Sequence, residues 1–194
     1  INLNAQQVAE YIGNGRASQV VTHFAGESET AYALAGAKCG VVVLAGTGAF
    51  VSGRTSSGEH LFIDGLGPYL GDCGSGFQIG HAAIRAAAKT LWHQRHITSL
   101  RRRVYLELFG LEDEDSNKSL IAFMLGNPDR AEIAALARTV DEEAQSGDTI
   151  AIRILRDAAE AISETVRDVL DRLDMHADHY PMIAAGSVAG KSEI

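Results

Sequence analysis

The chain has 194 residues and carries 17 lysine and arginine residues against 25 aspartate and glutamate residues, a formal net charge of −8 with neutral histidines. Proteins that bind nucleic acid or anionic membranes need a dense basic face, so this balance argues against both partners. With 46% apolar and 22% charged residues, the composition is that of a folded globular protein. No apolar run approaches the roughly 20 residues of a transmembrane helix and no signal peptide pattern opens the chain, so we predict a cytoplasmic protein.

The first third of the chain predicts mainly strands. A β-prone run at 19–24 is followed by small helix-forming residues at 29–37, and the apolar run 41–45 has the pattern of a strand buried on both faces. Two further strand-like runs, 49–54 and 60–63, are separated by a Ser-Ser-Gly-Glu turn. Turn residues at that spacing predict adjacent antiparallel strands.

Most of the remaining chain predicts helices. A glycine-rich loop at 64–76 leads into a helix from about 77 to 93, and further helical segments follow. One begins near Ala131, and Asp148 is placed to cap the last and most amphipathic of them. The apolar run 181–185 then returns as a short strand. This order predicts an α/β domain, with three antiparallel strands, a long helical excursion and a final strand of the parallel type.

Three glycine-centred loops border these elements. They read Gly46-Thr47-Gly48, then Gly71-Asp72-Cys73-Gly74-Ser75-Gly76, and finally Gly186-Ser187-Val188-Ala189-Gly190. Glycine lets backbone N–H groups approach a phosphate or a sugar, and a helix N-terminus adds partial positive charge. A tight turn, or capping of the following helix by Asp72 or Ser75, is the alternative for each loop, but three such loops in this order favour a ligand site.

The last loop has a second interpretation. Residues 185–192 read Ala-Gly-Ser-Val-Ala-Gly-Lys-Ser, which fits a relaxed nucleotide phosphate loop after a predicted strand. A true phosphate loop would open its domain and would be followed by an acidic strand that holds Mg²⁺. Neither condition is met, so this alternative is the weaker one.

The runs 41–48, 65–76 and 183–188 resemble the N-acetylglucosamine kinases and, equally, the wider BadF/BadG/BcrA/BcrD ATPase family. The paired GTG and GDxGSG loops are the most specific part of a resemblance that covers roughly residues 19 to 194. It implies the actin-like, sugar-kinase and Hsp70 ATPase fold. Residues 1–38 would be the end of an N-terminal lobe with a connecting helix, and 39–194 an incomplete C-terminal lobe, ribonuclease-H-like, with a mixed sheet opened by three antiparallel strands.

The resemblance implies ATP-dependent phosphorylation of an amino sugar, with ATP and Mg²⁺ between two lobes. The positions implied for the β- and γ-phosphates are Gly46, Thr47 and Gly48. Those implied for the adenosine border are Gly186, Ser187 and Val188. Asp72 would bind sugar hydroxyls, and the wall around it would comprise Gly71, Gly74, Ser75 and Leu66, the last in place of a tryptophan often found in the family.

The general base of the family is an aspartate that opens a small-residue helix before the GTG strand. The matching position here holds Glu29, and Glu27 is the second candidate if the loop length is counted instead. A general base must come within about 3 Å of the proton that it accepts. We expect Glu29 to face the phosphate site and Glu27 to matter much less.

Other departures bear on activity. Ala49 stands where the family usually has serine, and Cys73 where it has glutamate. The family's first phosphate loop, an Asp-x-Gly-x-Thr hairpin whose aspartate positions Mg²⁺, does not occur in this sequence. We therefore expect that loop upstream of Ile1 in the complete protein, and we expect the 194 residues alone not to turn over.

Two alternative functions remain open at this stage. One is an ATPase that activates a redox partner through an iron–sulfur cluster held between subunits, for which Cys39 and Cys73 would be the ligands. The other is a non-catalytic sugar-binding regulator. Two i,i+3 histidine pairs lack a third ligand at fixed spacing, so no metal site is predicted. The run Arg101-Arg102-Arg103 predicts a solvated helix face. A homodimer stays open as the oligomeric state.

Overall fold

A computed structural model describes residues 26–176 and 179–190, so the β-prone run at 19–24 lies outside the described residues. The helices are α1 (Glu27–Leu34), α2 (Gly76–Lys89), α3 (Leu100–Phe109), α4 (Lys118–Leu125), α5 (Arg130–Gln145) and α6 (Thr149–Arg172). The strands are β1 (Gly40–Ala45), β2 (Ala49–Arg54), β3 (His60–Asp64) and β4 (Met182–Ala185). No helix of the described part is long and apolar enough to cross a membrane.

The four strands form one mixed sheet in the order β3-β2-β1-β4. β1 pairs antiparallel with β2, β2 pairs antiparallel with β3, and β4 lies parallel to β1 on its other side. This confirms the prediction that the first three strands pair antiparallel and that the last strand runs parallel to its neighbour. Val41, Val42 and Val43 are almost completely buried, as expected for a strand covered on both faces.

Helices cover both faces of this sheet. On one face, Val166 and Val169 of α6 pack against Val41 and Val51. On the other face, α1 contributes Tyr32, which is buried against Val42 and Phe50 and donates a hydrogen bond of 2.8 Å to the carbonyl of Gly40. The division into residues 1–38 and 39–194 stays a prediction.

The helical part forms a second layer in which α2 packs on α5. A Cβ on Gly80 would lie 1.8 Å from the carbonyl oxygen of Ile133, so glycine is needed for the close approach of the two helices. This contact matters for the site because both helices begin beside the turn between β1 and β2.

The boundaries of the helices differ in detail from those predicted. The helix predicted over 77–93 ends at Lys89, where the Thr90 hydroxyl donates a hydrogen bond to the carbonyl of Ala87 at 2.8 Å. α5 begins with a capping box between Asp129 and Glu132. Asp148 caps α6 as predicted, accepting hydrogen bonds from the first backbone N–H groups of that helix.

Candidate functional site

The turn Gly46-Thr47-Gly48 joins β1 to β2 and is fastened to the N-terminus of α2. The N–H groups of Gly76 and Phe77 donate to the carbonyls of Gly46 and Thr47, at 2.7 and 3.2 Å. Within residues 26–176 and 179–190, the N–H groups of Thr47 and Gly48 have no acceptor. The turn therefore presents two backbone donors and the exposed Thr47 hydroxyl to an anion.

The carboxylate of Asp72 lies against this turn. Asp72 is 3% exposed, and a Cβ on Gly48 would lie 3.0 Å from its Oδ2 atom. The carboxylate of Asp64 holds the Asp72 backbone in place by accepting the N–H groups of Asp72 and Cys73 at 2.6 and 2.7 Å. Asp72 itself has a φ of 55°, a left-handed conformation that this bonding supports.

The Asp72 carboxylate opens into a cavity of about 580 Å³, here called the first cavity. Besides Asp72, its wall includes Thr47, Gly48 and Glu27. Arg130, at the start of α5, also lines it and donates a hydrogen bond from Nη2 to Asp72 Oδ2 at 2.6 Å. Asp72 is thus turned toward a cavity and does not cap α2, so the capping alternative does not apply to it.

A second cavity of about 410 Å³ adjoins the first. It lies between the Gly46-Thr47 turn, the first residues of α2, the small-residue face of α5, and the segment Ser187-Val188. Thr47 and Ala131 line both cavities. The two cavities therefore meet at the Thr47 turn, whose backbone donors are oriented to bind an anion.

The two candidate bases occupy opposite sides of α1. Glu27 lines the first cavity, whereas the carboxylate of Glu29 forms an ion pair with Arg54. Arg54 pairs with Gly40 at the far end of β2 from the Thr47 turn. Contrary to the expectation for Glu29, the structure therefore places Glu27, and not Glu29, at the cavity beside the Thr47 turn, and the identity of the base stays a prediction. The reason is helical phase, because positions two residues apart in a helix differ by about 200°.

Three residues of the Asp72 loop, Gly71, Gly74 and Ser75, shape the backbone and line neither cavity. Ser75 is buried and caps α2, accepting a hydrogen bond from the N–H of Gln78 at 3.2 Å. A Cβ on Gly71 would lie 2.0 Å from Asp64 Oδ1, and one on Gly74 would lie 2.4 Å from Ile162 of α6. Leu66 is 66% exposed and does not line the first cavity, although its neighbours Gly65 and Gly67 do.

The loop after β4 is folded onto β1. Gly186 has a φ of 97°, and a Cβ there would lie 2.3 Å from the carbonyl oxygen of Ala45. The N–H groups of Val188 and Ala189 donate to that same carbonyl, at 2.9 and 3.3 Å. Because the N–H groups of Val188 and Ala189 are already bonded to protein, they are not available to a phosphate, which argues against the nucleotide phosphate-loop interpretation of 185–192.

Metal-ligating groups are scattered in the described part of the chain. No group of three or more His, Cys, Asp or Glu side chains that could hold a metal ion is found there. Cys39 precedes β1, whereas Cys73 follows Asp72, whose carboxylate lies against the turn at the other end of that strand. Burial, followed by the charge of Asp64, raises the pKa of the Cys73 thiol.

Sequence reasoning missed the contribution of α5 to the site. Arg130 and Ala131 line the first cavity, and its Ala134, Arg138 and Asp141 line the second. The available signal was the Asn-Pro-Asp break before a helix with alanines at helical spacing, since small residues allow close approach to another element. The pairing of Arg130 with Asp72 joins positions 58 residues apart and has no local sequence signal.

Comparison with known proteins places this site in context. The family model described as the BadF/BadG/BcrA/BcrD ATPase family matches residues 4–194. The N-acetylmuramic acid/N-acetylglucosamine kinase of Clostridium acetobutylicum is 33% identical over 150 residues, which are 77% of this chain and 48% of that protein. The N-acetyl-D-glucosamine kinase of Dictyostelium discoideum is also 33% identical over 150 residues, covering 76% of this chain and 46% of that protein. The chain spans about half the length of these curated relatives.

Solved structures share the fold. A structure from Chromobacterium violaceum, provisionally described as an N-acetylglucosamine kinase, superposes with a TM-score of 0.71 at 24% identity, covering 97% of this chain and 63% of that one. A second structure, from Porphyromonas gingivalis, is described in the same way. It superposes with a TM-score of 0.53 at 21% identity, covering 82% of this chain and 51% of the other. The ribonuclease-H-like, actin-like ATPase fold expected from the sequence is confirmed.

Proposed function

The chain belongs to the BadF/BadG/BcrA/BcrD ATPase family, and we propose that the complete protein transfers the γ-phosphoryl group of ATP to a hydroxyl of an amino sugar of the N-acetylglucosamine type. The observation that carries this proposal is the junction of the two cavities at Thr47, with Glu27 and Asp72 in the lining of the first cavity. The amino-sugar kinases among the relatives support the substrate class.

Each ligand has a place in this arrangement. The adenosine would occupy the second cavity beside Ser187 and Val188, and the phosphates would accept hydrogen bonds from the backbone and hydroxyl of Thr47 and from Gly48. The sugar would lie in the first cavity with its hydroxyls on Asp72. Gly46, Gly71, Gly74, Ser75 and Gly186 act through the backbone geometry that they permit.

The transfer needs a base and an in-line geometry. Glu27 would accept the proton of the attacking hydroxyl, whose oxygen forms a bond to the γ-phosphorus while the bond from that phosphorus to the bridging oxygen of ADP breaks. Holding the two substrates on either side of the Thr47 turn supplies the orientation on which such reactions depend.

Membership of an ATPase family implies the use of ATP, and Mg²⁺ is proposed to accompany it. When bound, this ion neutralises phosphate charge during transfer. The described residues do not themselves provide a set of ligands for it. An Asp-x-Gly-x-Thr loop elsewhere in the complete protein stays our prediction for the missing ligand, as do the cytoplasmic location and a homodimer.

The alternatives have less support. A cluster shared between subunits would need the two thiols of each chain close together, but Cys39 precedes β1 and Cys73 lies in the loop that packs against the other part of the strand. A non-catalytic regulator would not require a carboxylate at the position of Glu27.

The decisive experiment is ATP turnover by the complete protein with and without N-acetylglucosamine, with the sugar phosphate identified by mass spectrometry. We expect formation of ADP to depend on the sugar and to match the sugar phosphate formed. Hydrolysis that is indifferent to every amino sugar, or visible iron–sulfur absorbance in the purified protein, would contradict the proposal.

A further inference from the structure

The charges that line the first cavity are unbalanced. Three carboxylates, those of Glu27, Asp72 and Asp129, face a single cationic side chain, Arg130, among the described lining residues. The Asp129 carboxylate is engaged in capping α5, where it accepts the N–H of Ala131 at 2.9 Å. A phosphoryl group that enters such a cavity needs positive charge close to its oxygens, and Arg130 is the group placed to provide it.

Arg130 is held on one side and free on the other. Its Nη2 atom donates to Asp72, and its Cζ atom lies 6.0 Å from the centre of the Phe77 ring. Within the described residues, its Nε and Nη1 atoms have no acceptor. The side chain is 47% exposed, against 5% for that of Asp72, so the free donors are open to a ligand.

The guanidinium also stands close to the turn that would hold the phosphates. Asp72 Oδ2, which accepts from Arg130, is the same atom that would lie 3.0 Å from a Cβ on Gly48. The Asp72 carboxylate is therefore flanked by the guanidinium and by the turn. An arginine can keep one nitrogen on a carboxylate while its other donors bind an oxyanion, because its five N–H groups form a rigid fork.

We propose that Arg130 is a phosphoryl-contact residue, whose Nε and Nη1 donate to oxygens of the transferred group while Nη2 stays on Asp72. This inference rests on the proposed function and adds a residue to it. Arg130 would stabilise the charge on the phosphoryl oxygens during transfer. Through Asp72, it would also link the sugar subsite to the phosphate subsite.

The test compares Arg130→Gln and Arg130→Lys with the unchanged complete protein. Arg102→Gln is a matched control, because Arg102 makes a similar pair with Glu112 at 2.7 Å on an exposed surface and neither residue lines either cavity. Turnover is measured with a neutral amino sugar and with one that carries a carboxylate. In parallel, binding of inorganic phosphate is measured by calorimetry, which does not depend on turnover.

We expect Arg130→Gln to lower kcat by about 10²-fold or more with both sugars, the scale of losing one donor to a developing oxyanion. Its affinity for inorganic phosphate should fall by about tenfold or more, with partial recovery in Arg130→Lys and no change in Arg102→Gln. Unchanged phosphate affinity in Arg130→Gln would overturn the proposal, as would a loss confined to the carboxylated sugar, which would assign the guanidinium to that carboxylate. If the unchanged protein shows no sugar-dependent turnover, the proposed function fails, and the phosphate titration still decides on Arg130.

Discussion

The guanidinium of Arg54 donates a hydrogen bond to the carboxylate of Glu29 and lies over the ring of Tyr32, with Cζ 4.4 Å from the ring centre. This contact fastens α1 to the end of β2 that is remote from the Thr47 turn. Because Glu29 is tied there, its neighbour one half-turn away, Glu27, faces the first cavity.

We predict that Glu29→Gln affects stability slightly and chemistry hardly at all. The Glu29 side chain is 48% exposed, so loss of the ion pair should lower the free energy of unfolding by less than about 1 kcal/mol. Urea denaturation of the complete protein measures this change. A large loss of sugar-dependent turnover without a loss of stability would contradict the assigned role.

A second prediction concerns Asp72. Asp72→Asn should weaken sugar binding and leave ATP binding unchanged. The amide lacks the negative charge of the carboxylate, which would accept hydrogen bonds from the sugar hydroxyls and which pairs with Arg130. Asparagine tolerates the left-handed backbone at this position, where φ is 55°. Calorimetry with each ligand separately provides the measurement. Asp174→Asn is the matched control, since Asp174 has a φ of 49° in an exposed turn after α6, and equal effects of the two variants would contradict the assignment.

A third prediction concerns the approach of the Thr47 turn to Asp72. Gly48→Ala would place a Cβ 3.0 Å from Asp72 Oδ2, so either the turn or the carboxylate must move. We expect the KM for the sugar to rise by about tenfold or more, since this displacement acts on the sugar subsite. Steady-state kinetics at saturating ATP provide the measurement. An unchanged KM would indicate that Asp72 can move without consequence.

The fourth prediction is a pH dependence of stability. Burial raises the pKa of the Asp148 carboxyl. Hydrogen bonds from Ala151, Thr98 and Ser99 together lower this pKa by more, so the net shift is downward. A carboxyl with a lowered folded-state pKa stabilises the protein above its unfolded pKa, and this contribution is lost as the pH falls through the folded value.

Asp148→Ala should therefore lower the free energy of unfolding by about 1 to 2 kcal/mol at neutral pH, the scale of a lost N-cap. The difference between parent and variant should shrink below about pH 4, near the ordinary pKa of aspartate. Denaturation curves recorded at several pH values check both statements. A difference that stays constant down to pH 2 would show that the ionised carboxylate is not the stabilising form.

Local patterns in the sequence were sufficient for much of the fold. The apolar run of β1, the turns between the first three strands and the cap at Asp148 each depend on neighbouring residues, and the structure contains all of them. The Thr47 turn was identified for the same reason, since its glycines are consecutive with the strand that they end.

Relationships between distant segments were not predictable in this way. The rotation of α1 about its axis, which separates Glu27 from Glu29, depends on how Tyr32 packs against the sheet. Arg101 was expected on a solvated face, but it is 6% exposed and bonds Asp113 and Asn117 from a loop that follows its helix. The wall formed by α5 depends on its packing with α2, which a single sequence does not encode locally.

The most direct test of the central claim is kcat for N-acetylglucosamine phosphorylation by the complete protein carrying Glu27→Gln, with Glu29→Gln measured beside it. Because Glu27 lines the first cavity and Glu29 does not, we predict a loss of about 10²-fold or more for Glu27→Gln, the scale of losing a general base, and a value near that of the parent for Glu29→Gln. The reverse ranking, or two variants as active as the parent, would contradict the account.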